Sequence, residues 1–166
     1  HRSNIKDFIL PKINSVFVVD YYLTIQSVFD SCEDFQYEDI LANPRIRTQN
    51  EIVWATEVFL AKPVLLCNLK DKDKDFYSDL LIRAIHSIEE LRLSIKENLD
   101  DRALSDLLEK VLSYIDDTSV YCGDGKIVIA NWGMIPRETN IPHNTICRKG
   151  QLVGKYSKSA DKQKTD

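Results

Sequence analysis

Between Phe76 and Leu99 the chain sets an apolar side chain every three or four positions: Phe76, Leu80, Leu81, Ala84, Ile85, Ile88, Leu91, Ile95 and Leu99. Arg83, Glu89, Glu90, Arg92, Lys96 and Glu97 occupy the positions between. That period matches the turn of an α-helix, so the segment must present one apolar stripe and needs a core to cover it. Asp100-Asp101 then opens a second stripe, Leu104, Leu107, Leu108, Val111, Leu112 and Ile115, with acidic groups where a helix dipole favours them. The short polar break between the two predicts an antiparallel pair over about 76–98 and 101–115. Lys70 to Asp75 alternates bases and acids and reads as a solvated connector or as the entry to the first of these helices.

From Thr118 the pattern changes. Ser119-Val120-Tyr121-Cys122 and Lys126-Ile127-Val128-Ile129-Ala130-Asn131-Trp132 flank Gly123-Asp124-Gly125, whose glycines supply the positive φ of a tight hairpin. Thr145-Ile146-Cys147 and Gln151-Leu152-Val153 predict a second hairpin across Arg148-Lys149-Gly150, after a proline-bearing loop from Pro136 to Pro142.

Upstream, residues 1–14 read as an arm or a single helical turn interrupted at Pro11. Val16 to Val19 is rich in β-formers, but Tyr21, Tyr22, Ile25, Val28 and Phe29 continue with helical spacing and favour a helix. Cys32 to Asn43 reads as a short acidic helix stopped by Pro44. Thr48-Gln49-Asn50-Glu51 has the spacing of a capping box, predicting a helix that carries Ile52, Val53, Trp54, Ala55, Val58, Phe59 and Leu60 and ends or kinks at Pro63. The expected architecture is α+β: helices that precede most strands, packed on one face of a small antiparallel sheet in 118–156. A single domain over 1–156 and a basic, disordered tail over 157–166 are expected.

The 166 residues, 43% hydrophobic and 29% charged, suffice for an ordinary core without disulfide or metal staples. No apolar run approaches the roughly 20 residues of a membrane-spanning helix. Cys32, Cys67, Cys122 and Cys147 are scattered without a C-x-x-C pair, which favours reduced thiols and a cytoplasmic setting, although an even number leaves two disulfides open. Of the 22 Lys and Arg, six lie in residues 148–166 beside two Asp, so the body is acidic and the tail basic. An acidic body repels phosphate backbones and argues against nucleic-acid binding.

The candidate chemistry is sparse. Gly123-Asp124-Gly125-Lys126 lacks the length and the following helix of a phosphate loop. Asp71, Asp73 and Asp75 have the spacing that opens a calcium loop, but Phe76 and Ile82 replace its glycine and its bidentate glutamate. Cys122, His143 and Cys147 form the one candidate thiol or metal constellation, and it is incomplete for zinc. His86, beside Ile85, reads as a partly buried structural histidine. Adjacent carboxylates such as Glu89-Glu90 and Asp116-Asp117 point away from each other on a helix, and the serines carry no acyl-transfer motif. In Asn131-Trp132-Gly133-Met134-Ile135-Pro136, Trp132 either closes the core or anchors a partner, with Met134 and Arg137 completing the candidate binding surface.

The expected function is a non-enzymatic intracellular protein-interaction or adaptor domain, excised from a larger chain and tethered through its tail to another domain or a membrane segment. The partner is another protein or the remainder of that larger chain, with no cofactor and no metal. The alternative is a hydrolase or transferase using Cys or His in the 122–147 region. A lysine-rich tail that touches anionic lipid by charge alone should sediment with phosphatidylserine vesicles at low salt and be released as salt rises. Absent or salt-insensitive sedimentation would remove that contact.

Overall fold

The computed structural model describes residues 1–137 and 144–157. In chain order it runs through β1 (Arg2–Asn4), β2 (Phe8–Ile9), β3 (Lys12–Ile13), β4 (Val16–Phe17), α1 (Tyr22–Ser31), β5 (Asn43–Arg47), β6 (Glu51–Ala55) and β7 (Val64–Leu65). The long helix α2 (Asp71–Asn98), α3 (Arg102–Val111), β8 (Tyr114–Asp116), β9 (Val120–Gly123), β10 (Lys126–Ile129), β11 (Ile135–Pro136), β12 (Thr145–Arg148) and β13 (Gln151–Leu152) follow. The fold is α+β. None of the described helices is long and apolar enough to cross a membrane.

The helical pair forms as its spacing predicts. α2 begins earlier than Phe76 because Lys70 to Asp75 is its entry, with Asp71 and Asp73 in the first turn. It buries Leu81, Ile82, Ala84, Ile85, Ile88 and Ile95. Each large apolar side chain among them contributes roughly 1.5–3 kcal/mol relative to exposure. Asp101 caps α3 by accepting from the Leu104 amide at 3.0 Å. Arg92 ties the helices together, 3.1 Å from Glu89 on its own helix and 3.9 Å from Glu109 on the other. α3 stops at Val111, short of the expected Ile115, because the Ser113 hydroxyl donates to the Lys110 carbonyl at 2.6 Å and Ile115 joins a strand opposite Cys147.

Both downstream hairpins form. Asp124 and Gly125 turn β9 into β10 with φ of 52° and 72°, and Lys149 and Gly150 turn β12 into β13 with 53° and 81°. The single sheet expected over 118–156 is instead two three-stranded sheets, β10-β9-β7 and β13-β12-β8. Among the described residues three further sheets stand beside them: β1-β6-β5, β11-β2 and β3-β4. Seven strands therefore precede α2 and six follow α3, so the helical pair sits between strands and does not precede most of them as expected. The arm over 1–14 is ordered into three of these strands, and Val16-Phe17 is a strand ahead of α1.

Two expected helices are absent. The Cys32 to Asn43 segment is not helical, because its end is spent on β10: the Ile129 amide donates to the Ile40 carbonyl at 2.7 Å and the Ala42 amide to the Ile129 carbonyl at 2.9 Å. Thr48 does accept from the Glu51 amide, at 3.1 Å, but it also exchanges a backbone bond with Glu51, and the bonds close the β5–β6 hairpin. Glu51 reaches Arg2 on β1, at 3.3 Å, rather than its own cap. Along β6 burial alternates, with Ile52 and Trp54 inside and their neighbours half-exposed.

One contiguous cluster of buried residues joins these pieces, running from Val18 and Ile25 through Trp54, α2, α3 and Trp132 to Tyr156. Gly133 packs against it with φ of 69°, and a Cβ there would lie 2.9 Å from Val18 Cγ1. Gly133→Ala therefore combines left-handed strain with overpacking and should cost about 2–4 kcal/mol in chemical denaturation. An unchanged midpoint would contradict this packing.

Candidate functional site

The N-terminal strand sets the site. β1 pairs antiparallel with β6, Ser3 opposite Ile52, and the Trp54 amide donates to the His1 carbonyl at 2.9 Å, so His1 is fixed at the end of that sheet. On β9 burial alternates: Val120 and Cys122 face the core, and Tyr121 faces the other way and meets the His1 ring edge-on, centroids 5.7 Å apart. Asn131 follows β10 with φ of 57°, a conformation asparagine tolerates better than most residues.

These side chains form one hydrogen-bonded row. Trp54 Nε1 donates to Ser3 Oγ at 3.0 Å, Ser3 Oγ bonds Asn131 Oδ1, Asn131 Nδ2 lies 3.2 Å from His1 Nε2, and His1 Nδ1 lies 2.7 Å from the Tyr121 hydroxyl. Behind the row Trp54 packs edge-on to Trp132 at 5.6 Å. Burial raises the Tyr121 phenol above its ordinary value.

His1 separates two clefts. On one side a polar cleft of about 550 Å³ is lined by Arg2, Lys6, Tyr114, Asp116 and Arg137 among others. On the other an apolar cleft of about 320 Å³ lies between Trp54, Phe59, Pro63 and Tyr121, with Ala42, Ala55 and Ala130 in its wall. Phe59 reaches this position because Gly123 leaves room: a Cβ there would come 3.3 Å from the Phe59 ring. Asp124 holds the same segment by accepting from the Leu60 amide at 2.8 Å. The arrangement can bind, offering carbon surface on one side of His1 and hydrogen-bonding groups on the other.

The residues singled out in the sequence fall mostly elsewhere. Trp132 has no exposed surface, and its Nε1 donates to the Ala42 carbonyl at 2.8 Å, so it closes the core and is not the exposed anchor of the alternative reading. Met134 is likewise fully buried. Arg137 is exposed in the polar cleft, bonded to the Lys6 carbonyl at 2.9 Å. Cys122 faces the core from β9, and Cys147 lies on β12 with its thiol 3.4 Å from the Leu112 carbonyl, so they belong to different sheets. His143 lies outside the described residues, as do residues 158–166 of the expected tail. His86 pairs with Glu90 at 3.1 Å on the surface of α2.

Gly125 directs its amide at the Tyr77 hydroxyl, 3.1 Å away, rather than leaving it for phosphate, and Asp71, Asp73 and Asp75 are turns of α2. Among the described residues no three His, Cys, Asp or Glu side chains are grouped to hold a metal ion. The site's own residues, Ser3, Trp54, Tyr121, Asn131 and His1, carry no joint motif. Burial alternates along β6 and places Trp54 on a sheet face, but four apolar residues in succession hide that alternation in the sequence.

Compared with known proteins, the chain matches no family model, no curated protein and no solved structure.

All four cysteines are free thiols. Burial pushes Cys122 and Cys147 from an ordinary value of 9.0 up to about 12. Because the folded value is raised, their contribution to stability is complete below about 9 and is lost as pH climbs toward 12. At pH 8 iodoacetamide should label Cys122 and Cys147 at least about a hundredfold more slowly than half-buried Cys32, since only the thiolate reacts. Peptide mapping of the alkylated protein measures this, and comparable rates would place the two thiols outside the core.

Proposed function

We propose that this chain is a protein-interaction domain that receives an apolar side chain of a partner segment in the cleft between Trp54, Phe59 and Tyr121. The observation that carries the reading is the juxtaposition at His1: a carbon-lined recess bordered by aromatic rings lies directly beside a polar cleft with both cations and carboxylates. A side chain entering the recess sheds apolar surface from water, worth about 25 cal/mol per Å², while its flanking backbone lies against hydrogen-bonding groups. Aromatic walls give such contacts their largest share of energy. Strands on both sides, β6 and β9, make the recess preformed and reduce the ordering cost of binding.

A random peptide library panned on the immobilised chain tests this. Enriched peptides should compete with one another, and Ala61→Trp, placed at the exposed rim of the apolar recess, should weaken them at least tenfold without lowering the melting temperature. Leu60→Trp, at a neighbouring residue that is 98% exposed and outside the recess, should leave them unchanged. Failure to enrich any peptide, or peptides indifferent to Ala61→Trp, would overturn the reading.

A further inference from the structure

The row of hydrogen bonds from Trp54 to Tyr121 has a direction, and the direction decides what the recess accepts. The indole N–H of Trp54 only donates, so Ser3 Oγ must accept it. Ser3 is buried at 4% exposure, and its hydroxyl hydrogen needs an acceptor. The one beside it is the side-chain oxygen of Asn131. That fixes the amide of Asn131, whose NH2 then points at His1 Nε2. His1 Nε2 must accept, and the neutral imidazole therefore carries its hydrogen on Nδ1 and donates to the Tyr121 oxygen at 2.7 Å. Turning the Asn131 amide over would reverse every later bond, but it would aim two donors at Ser3 Oγ and strand the serine hydrogen in a buried site, at a cost of about 1–3 kcal/mol.

We infer that the row is polarised from Trp54 outward and ends in the Tyr121 O–H as an unspent donor at the wall of the apolar recess, so that the recess selects a carbonyl oxygen next to an apolar group. Among the described residues no acceptor takes that hydrogen, and Tyr121 borders the apolar cleft and not the polar one. A phenol holds this hydrogen at neutral pH at its ordinary value, and burial only reinforces it. For a partner segment, the matching group is a backbone carbonyl flanking the apolar side chain, and an ammonium at that point has no lone pair to take the hydrogen and is disfavoured. The ligand preference rests on the proposed interaction function; the polarity of the row does not.

Two measurements test it. In a His86→Gln/His143→Gln variant, His1 is the only imidazole. Long-range 1H–15N correlation at about pH 8, above the ordinary imidazole range, should then show the Nδ1–H tautomer. Tyr121→Phe, at the far end of the row, should leave the Nδ1–H form predominant, because the Asn131 NH2 still requires Nε2 to accept. An Nε2–H tautomer in the unsubstituted site means that the row runs the other way and the inference is wrong.

The second measurement titrates two probes of similar apolar bulk and follows the Tyr121 ring resonances. N-acetyl-L-proline dimethylamide, which has carbonyl acceptors and no N–H, should bind saturably, at least fivefold tighter than cyclopentylammonium, which only donates. Tyr121→Phe should weaken the amide roughly fivefold, the share of a single neutral hydrogen bond. Equal binding of the two probes, no binding of the amide, or indifference to Tyr121→Phe would overturn the assignment. Library peptides that are lost with Ala61→Trp but indifferent to Tyr121→Phe would leave the interaction function standing and remove the donor alone.

Discussion

The bond from Trp132 Nε1 to the Ala42 carbonyl is the constraint on which the arrangement around the clefts turns. An indole N–H without a partner is costly in a core, and Trp132 has no exposed surface, so the segment bearing Ala42 must lie against the end of the β9–β10 hairpin. Two neighbouring bonds to Ile129 fasten the same segment to β10. With Ala42 held there, β5 follows at once and pairs with β6, whose Trp54 meets Trp132 edge-on. Trp54 then offers its own N–H to Ser3, and the N-terminal strand is recruited to complete the sheet. The recess wall follows from two indoles that each had to find an acceptor.

What could be read from the sequence depended on whether the controlling physics was local. The α2 stripe is an i, i+3, i+4 pattern within one element, and the turns at Asp124-Gly125 and Lys149-Gly150 announce themselves by residues that accept positive φ. Thr48 to Glu51 misleads for an equally physical reason: a threonine hydroxyl accepting from the amide three residues on is the same bond in a helix cap and in this hairpin turn. With Ile52-Val53-Trp54-Ala55 apolar throughout, period could not separate helix from strand, and the paired strand lay elsewhere in the chain. Leu112 to Ile115 continued a helical spacing whose last residues were claimed by β12.

The clefts themselves were hidden for a different reason. Their polar row takes five residues from four separated stretches, His1 and Ser3 sharing the first, and no local motif reveals the role of any of them. The cysteines drew notice because thiols are chemically conspicuous, yet Cys122 and Tyr121 are adjacent on one strand and face opposite ways: one into hydrocarbon, the other toward His1. Pleating alone separates the conspicuous residue from the one that joins the row.

The row of hydrogen bonds spans nearly the whole chain, with His1 and Asn131 130 positions apart. β2 likewise pairs with β11 across a comparable stretch. Contacts of such sequence separation close late, because the loop entropy must be overcome before they are rewarded. A nascent polypeptide emerging from the ribosome therefore carries the first residues of the row long before the last are made, and the row stays incomplete until synthesis has passed Asn131. The row comes only with the finished fold, and no early fragment of the chain holds a working share of it.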